Sequence, residues 1–341
     1  MSVLTRASEE LFRRGADERF ESLEALVAHC RAEKRLSEDR WHLPQKVTAK
    51  ALDGIVGLAL GDDGDFRLND WSFSQLCKLA GVGKETVNRL SPETASRVLL
   101  ETLPSGRKPL QILTQDDRVR AVHGASYTRL YNAELIQLVQ ETATDFTPPQ
   151  VGMNGATGLY CGEQDLFAFL IDPTGWTEIE GEAFAPGFFV WNSEVGRRSV
   201  GIQTFWFQAI CQNHIVWDAT EVVEFSRKHT ANVHEALAEI RRAIDVLVAN
   251  RDRRKDAFYS AIKRAMQERL GDDAEAVMKK LSEHGISRSL AKQATEIAAS
   301  QGRFTIFSLV DALTRLTAKV QWIGDRTEAD EKVGALLALA V

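Results

Sequence analysis

The sequence predicts an α+β protein: an antiparallel-dominated sheet core with a helical N-terminal segment and a helical C-terminal region. Three observations predict it. Short stretches of alternating apolar residues, separated by turn residues, crowd positions 46–220. From Glu221 onward, apolar residues recur instead at spacings of three and four. No Gly-x-Gly-x-x-Gly follows a strand-like run, which removes the main support for a dinucleotide-binding alternation of strands and helices. The 341 residues suffice for two or three cores. We divide them into a helical arm at 1–45, an α+β core at 46–220 and a helical region at 221–341.

Each element has its own signal. Phe20, Leu23, Leu26 and Val27 stand at helical spacing within the arm. Val56, Leu58 and Leu60 alternate, "GDDGD" supplies turn chemistry, and Phe66 and Leu68 alternate again, which reads as a hairpin. Asn69 or Asp70 then caps a helix near Trp71. "FSQLCKLAGVGKETVNRL" has the rhythm of two short helices around Gly81 and is similar to a repressor helix-turn-helix. Lys84, Asn88 and Arg89 would be its reading residues, although Glu85 among them opposes phosphate. "GVGKET" is not a phosphate-binding loop, because the first glycine is missing and Glu85 stands where Ser or Thr must hold magnesium.

"QILTQDDRVRAV" predicts a strand, a turn at Gln115–Asp117 and a strand, with Asn132 as cap of a helix carrying Leu135, Leu138 and Val139. "TGLYCGEQDLFAFLIDP" predicts two strands around Gly162. "GFFVWNSEVGRRSVGIQTFWF" predicts two more, turning near Glu194–Arg197. Val233, Leu237, Ile240, Ile244 and Leu247 form a helical seam. The apolar "GALLALAV" should dock on a core or on a neighbouring subunit.

Bulk composition narrows the classes of function. A net charge of -6 means that any nucleic-acid binding needs a local basic face. No run approaches the roughly 20 apolar residues of a membrane span, and the N-terminus has no apolar signal core. We expect a cytoplasmic protein without a membrane partner. Cys30, Cys77, Cys161 and Cys211 lack Cys-x-x-Cys spacing, so reduced thiols are expected rather than zinc or disulfides. His229 and His234 are five apart, not the four that puts two ligands on one helical face. Neither a metal nor another cofactor is expected from these spacings.

Three tracts carry a family resemblance: "QILTQDDRVRAVHGASYTRLYNAELI", then "WNSEVGRRSVGIQTFWFQAICQNHIV", then "FTIFSLVDALTRLTA". In order and spacing they resemble the DUF932 family of phage- and plasmid-like proteins, and "FSQLCKLAGVGKETVNRLSPETAS" is similar to that family's upstream helical segment. The resemblance covers residues 50 to 320. Its motif positions are Asn192, Ser193, Glu194, Gly196, Cys211 and Asn213. The chain departs from the pattern at Gln208, where the family has arginine, and at His214, where it has glycine. What the resemblance implies is a mobile-element context, which favours DNA metabolism, recombination or host-defence interplay.

Three functional expectations follow. The first is a non-enzymatic protein that binds single-stranded DNA and helps strands anneal. Its contacts would be Tyr127, Arg129, Asn192, Arg197, Arg198, Arg227, Lys228, His229 and Arg241, because cations interleaved with aromatics hold phosphates and stack bases. The second is an assembly module, a homo-oligomer using the seam and the apolar tail. The third is a hydrolase or transferase around Glu194, which requires a concave pocket joining Glu194 to another titratable group.

Overall fold

A computed structural model describes residues 9–150, 158–209, 225–300 and 304–340, and residues 213–215 and 251–254 by their backbone alone. The α+β expectation holds: two sheets and three helical layers make up the described residues.

The N-terminal stretch serves both sheets. Its strands are β1 (Glu18–Arg19) and β2 (Ser37–His42), on either side of α1 (Leu23–Leu36). Ser22 caps α1 by accepting from the Ala25 amide, and Leu26, Val27 and Cys30 point into the core. This segment is therefore built into the core.

The first sheet takes β2 and adds β3 (Val47–Leu52), β4 (Ile55–Leu60) and β5 (Asp65–Leu68). The expected hairpin is β4–β5, and Asn69 closes a capping box with Ser72 at the start of α2 (Asp70–Leu79). Then come α3 (Lys84–Val87), α4 (Pro92–Thr102), β6 (Leu110–Gln115) and β7 (Arg118–Gly124). The strand order is β2-β6-β7-β5-β4-β3, antiparallel except where β5 runs parallel to β7. One face packs Val56, Leu58, Ile112 and Val119 against Phe73, Leu76 and Leu99 of the helices.

The repressor-like pair does not present a reading helix. The α3 helix is a single turn. Asn88 is buried and exchanges hydrogen bonds with the Phe12 backbone, while Lys84 pairs with Asp70 at 2.7 Å.

The second sheet follows α5 (Asn132–Thr142). It comprises β8 (Leu159–Cys161), β9 (Leu166–Ile171), β10 (Thr177–Ile179), β11 (Glu182–Asn192), β12 (Val200–Gln208), β13 (Asn213–Ile215) and β14 (Phe225–Arg227). Its order is β1-β8-β9-β11-β12-β13, with β10 on β11 and β14 on β12, all antiparallel. One face is aliphatic and lies under α1, α5 and α6 (Glu235–Ala249). The seam of Val233, Ile240, Ile244 and Leu247 is consumed there, inside the chain. The other face is aromatic, with Phe167, Phe169, Phe189 and Phe205 in mutual contact.

The remaining helices are α7 (Arg251–Gln267), α8 (Ala274–Glu283), α9 (Arg288–Ser300), α10 (Ile306–Thr317) and α11 (Ile323–Gly334). They form a separate core onto which the sheet projects Phe184 and Trp206; Trp206 stacks on Phe258 at 3.7 Å. The apolar tail closes this core from a final 3₁₀ turn, Ala335–Ala340, burying Leu336 and Leu337. It docks on its own chain. No helix among the described residues is long and apolar enough to cross a membrane.

Candidate active site

The "NSEVG" segment begins at Asn192, the last residue of β11, and lies between the two sheets. Each residue has a defined task. Asn192 donates to the Leu130 carbonyl at 2.9 Å and to Asn132 Oδ1 at 2.8 Å. Ser193 Oγ donates to the Gln164 carbonyl at 2.5 Å and accepts the Arg197 amide at 2.9 Å. Gly196 has φ +75, and a Cβ there would meet His123 Cε1 at 2.6 Å. Only glycine fits both the backbone and the space.

Glu194 is the hub. Its Oε1 accepts the Asn132 amide at 2.7 Å and its Oε2 accepts Arg120 Nη1 at 2.9 Å. Asn132 was expected to cap α5; instead Tyr131 is the cap residue, without a capping side chain, and the Glu194 carboxylate takes that amide. A carboxylate there also meets the positive end of the helix. Burial pushes the Glu194 carboxyl up, and Arg120 opposes that shift.

Arg120 reaches Glu194 because of a β-bulge. Leu113 pairs with Ala121 and Thr114 with Val119, so Arg120 is the extra residue on β7. A bulge turns its side chain out of the strand alternation.

Around this hub, Tyr127 donates to the Glu194 carbonyl at 2.9 Å. Arg129 also donates to that carbonyl and grips Asp39 through two nitrogens, at 2.6 and 3.0 Å. The Tyr127 ring lies stacked between His123, at 3.7 Å, and His229, at 5.3 Å. Burial, followed by the Arg129 charge, holds His123 down to about 3. Burial likewise holds His229 down to about 4. These shifts favour the neutral form of both rings near pH 7.

A cleft of about 510 Å³ opens beside this network. His29, Glu33, Arg120 and Cys161 line it, with Glu18, Arg118 and Glu163 among the other residues. His29 and Glu33 are one turn apart on α1, while Cys161 ends β8. Arg120 lies between hub and cleft: its Nη2 is 3.8 Å from Glu33 Oε1. His29 is raised to about 10 by hydrogen bonds with Cys161 and Glu33, which outweigh burial. Burial acts most strongly on Glu33, yet His29 and Arg120 together keep it below the usual carboxylate range. Cys161 is pushed well up by its hydrogen bond with Cys30 and by burial.

The DNA-contact candidates divide into three groups. Tyr127, Arg129, Asn192 and His229 are largely or wholly buried in the hub. Arg197 and Arg198 line a shallow cavity of about 360 Å³ with Phe189, Trp191 and Gln203. Carboxylates engage both arginines: Arg198 bonds Asp165 at 2.6 Å and Glu328 at 2.5 Å, and Arg197 is 3.8 Å from Asp325. Arg227 pairs with Glu235 at 2.7 Å, and Lys228 and Arg241 are exposed elsewhere. Cys211 lies outside the described residues, and Asn213 is placed by its backbone in β13. Gln208 is buried and donates to Glu182 at 3.1 Å.

The residues that sequence reasoning missed are His29, Glu33, Asp39, Arg120 and Cys161. A helical His-x-x-x-Glu spacing was visible at His29 and Glu33. The contribution of Cys161, 128 positions from Glu33, was not.

Fold and site together define a class: a two-sheet α+β protein whose central loop locks the sheets beside a polar cleft. A family model described as a domain of unknown function, DUF932, matches residues 120–332. The chain belongs to this family. The match begins at Arg120 itself and includes the whole Glu194 loop. No curated protein and no solved structure matches the chain.

Proposed function

We propose that the cleft is a reaction site for a small polar substrate, in a hydrolase or transferase. One observation carries this reading: the family loop is joined to a concave pocket through the chain Glu194–Arg120–Glu33. Glu194 and Arg120 hold the geometry, and Glu33, His29 and Cys161 face the ligand. The cleft volume falls in the range of small-molecule sites. Its test is turnover of chromogenic esters, phosphate esters and amides by the full chain. Glu33→Gln, at a partly exposed position, should lower turnover of the accepted class on the order of 10²-fold while circular dichroism at the assay temperature matches the parent. Equal turnover in the variant, or none with any class, counts against the cleft.

A second reading keeps single-stranded DNA as the ligand, in the mobile-element setting that family resemblance implies. The observation favouring it is the cavity that brings Arg197 and Arg198 to Trp191 and Phe189. The partly exposed Trp191 ring beside cationic residues suits an unstacked base and its phosphate, while Phe189 is buried beneath it. Against it, Asp165, Asp325 and Glu328 already engage the two guanidinium groups. Fluorescence anisotropy with oligonucleotides across a salt series decides. Binding that weakens with salt and in Arg197→Ala supports this reading, and a flat response at micromolar protein removes it.

A further inference from the structure

One group of side chains in the cleft has the composition of a metal centre. An imidazole nitrogen of His29, a carboxylate oxygen of Glu33 and Sγ of Cys161 all lie within 4.8 Å of one another. His29 Nε2 is 3.5 Å from Glu33 Oε2, and Cys161 Sγ is 3.9 Å from that same oxygen. Ligands bound to zinc at about 2.0–2.3 Å, at tetrahedral angles, stand about 3.3–3.7 Å apart. The His29–Glu33 spacing already fits, the Cys161–Glu33 spacing would need to contract by about 0.2 Å, and the His29 nitrogen and Cys161 Sγ, within 4.8 Å of each other, would be drawn together by the ion.

We propose that His29, Glu33 and Cys161 are three ligands of a zinc-type divalent cation, with a fourth position open to the cleft, the ion displacing the Cys161 thiol proton and the His29 ring proton to solvent as it binds. The inference deepens the cleft reading and rests on it for what the ion does; the site itself rests on ligand geometry. A thiol, an imidazole and a carboxylate match zinc better than magnesium or calcium, which prefer oxygen alone.

The surroundings are those that orient ligands. His29 Nδ1 faces Glu18 Oε2 at 3.8 Å, leaving Nε2 toward Glu33. Arg120 lies 3.8 Å from the other oxygen of Glu33. Asn132 Nδ2 approaches Cys161 Sγ at 3.9 Å. Asn132 and Arg120 are both held by Glu194, so the family loop positions the shell behind the ligands. Three protein ligands with an open position form the pattern of catalytic rather than structural zinc. A zinc ion held there would supply Lewis-acid activation of a water for hydrolysis, the water's proton leaving to solvent.

The full chain, stripped with chelator and titrated with Co²⁺, tests this. One equivalent should bind, with thiolate-to-cobalt absorption in the near ultraviolet and visible bands of a four-coordinate ion. Zn²⁺ should displace it. Cys161→Ser should abolish the thiolate band. His29→Gln, at a partly exposed position, should weaken binding at least tenfold while circular dichroism matches the parent. Absence of stoichiometric binding, or a thiolate band that survives Cys161→Ser, overturns the site. Hydrolysis that persists in stripped protein overturns the metal while sparing the cleft reading. Stoichiometric cobalt binding without turnover of any substrate has the reverse meaning.

Discussion

Arg120 and Glu194 are 74 positions apart in sequence and meet at 2.9 Å, both side chains almost wholly buried. The pair ties a bulge in one sheet to the loop that ends a strand of the other. Removing one partner leaves a buried charge. Glu194→Ala should therefore cost about 3–5 kcal/mol in urea unfolding. A double variant with Arg120→Leu should cost less than the sum of the two single changes. Strict additivity would show that the two groups are not coupled.

The stacked histidines should make the fold acid-sensitive. Their folded pKa values, about 3 for His123 and about 4 for His229, lie below the ordinary 6.5. The unfolded chain thus binds protons first as pH falls. The stability they contribute is complete above about 6.5 and is lost progressively toward pH 4 and below. His229→Phe keeps an aromatic ring against Tyr127 and removes the proton site. It should reduce the loss between pH 6.5 and 4 by up to about 3 kcal/mol. An unchanged pH profile would place the acid sensitivity elsewhere.

Asp330 works in the opposite direction. Burial raises it to about 6, with Arg326 and Thr317 opposing the shift. Here the folded chain binds the proton more tightly. The benefit is full below about pH 4 and disappears as pH rises through 6. Asp330→Asn should flatten stability between pH 4 and 6, removing a slope worth about 3 kcal/mol. Thermal unfolding across that window measures it, and a retained slope would rule Asp330 out as its source.

The tail should matter for folding. Deleting residues 335–341 removes Leu336 and Leu337 from the α7–α11 core, where both are fully buried. At about 1.5–3 kcal/mol per buried side chain, the loss should exceed 3 kcal/mol. Circular dichroism should show reduced helicity or a lowered melting temperature. A shift in oligomeric state at full stability would instead assign the tail to assembly.

Local pattern made most elements legible. The β4–β5 hairpin, its Asn69 cap, the β6–β7 turn and the β11–β12 pair follow from alternation and turn residues that act within a few positions. The seam at Val233–Leu247 was also visible, but not its partner, because an apolar stripe does not say which surface will cover it. The site was half legible. "NSEVG" stood out, and Glu194 was singled out as its carboxylate. What Glu194 does depends on Arg120, an unpaired residue at a bulge, and bulges leave little trace in composition. Asn132 looked like a cap because asparagine is good at it; a distant carboxylate took that role. Arg129 and Arg198 looked like free cations, because the aspartates that neutralise them come from other elements.

The capping of α5 by Glu194 bears on how the chain folds. The β6–β7 and β11–β12 hairpins can each close over short distances. The leading amide of α5, that of Asn132, is satisfied by a carboxylate 62 residues downstream. The other oxygen of the same carboxylate reaches Arg120 of the first sheet, so the loop-closure entropy of both contacts must be met before either sheet is rewarded. The two sheets should accordingly gain their final stability in one late, shared step. The loop marking the family would then be the place where two independently nucleated halves become a single cooperative unit.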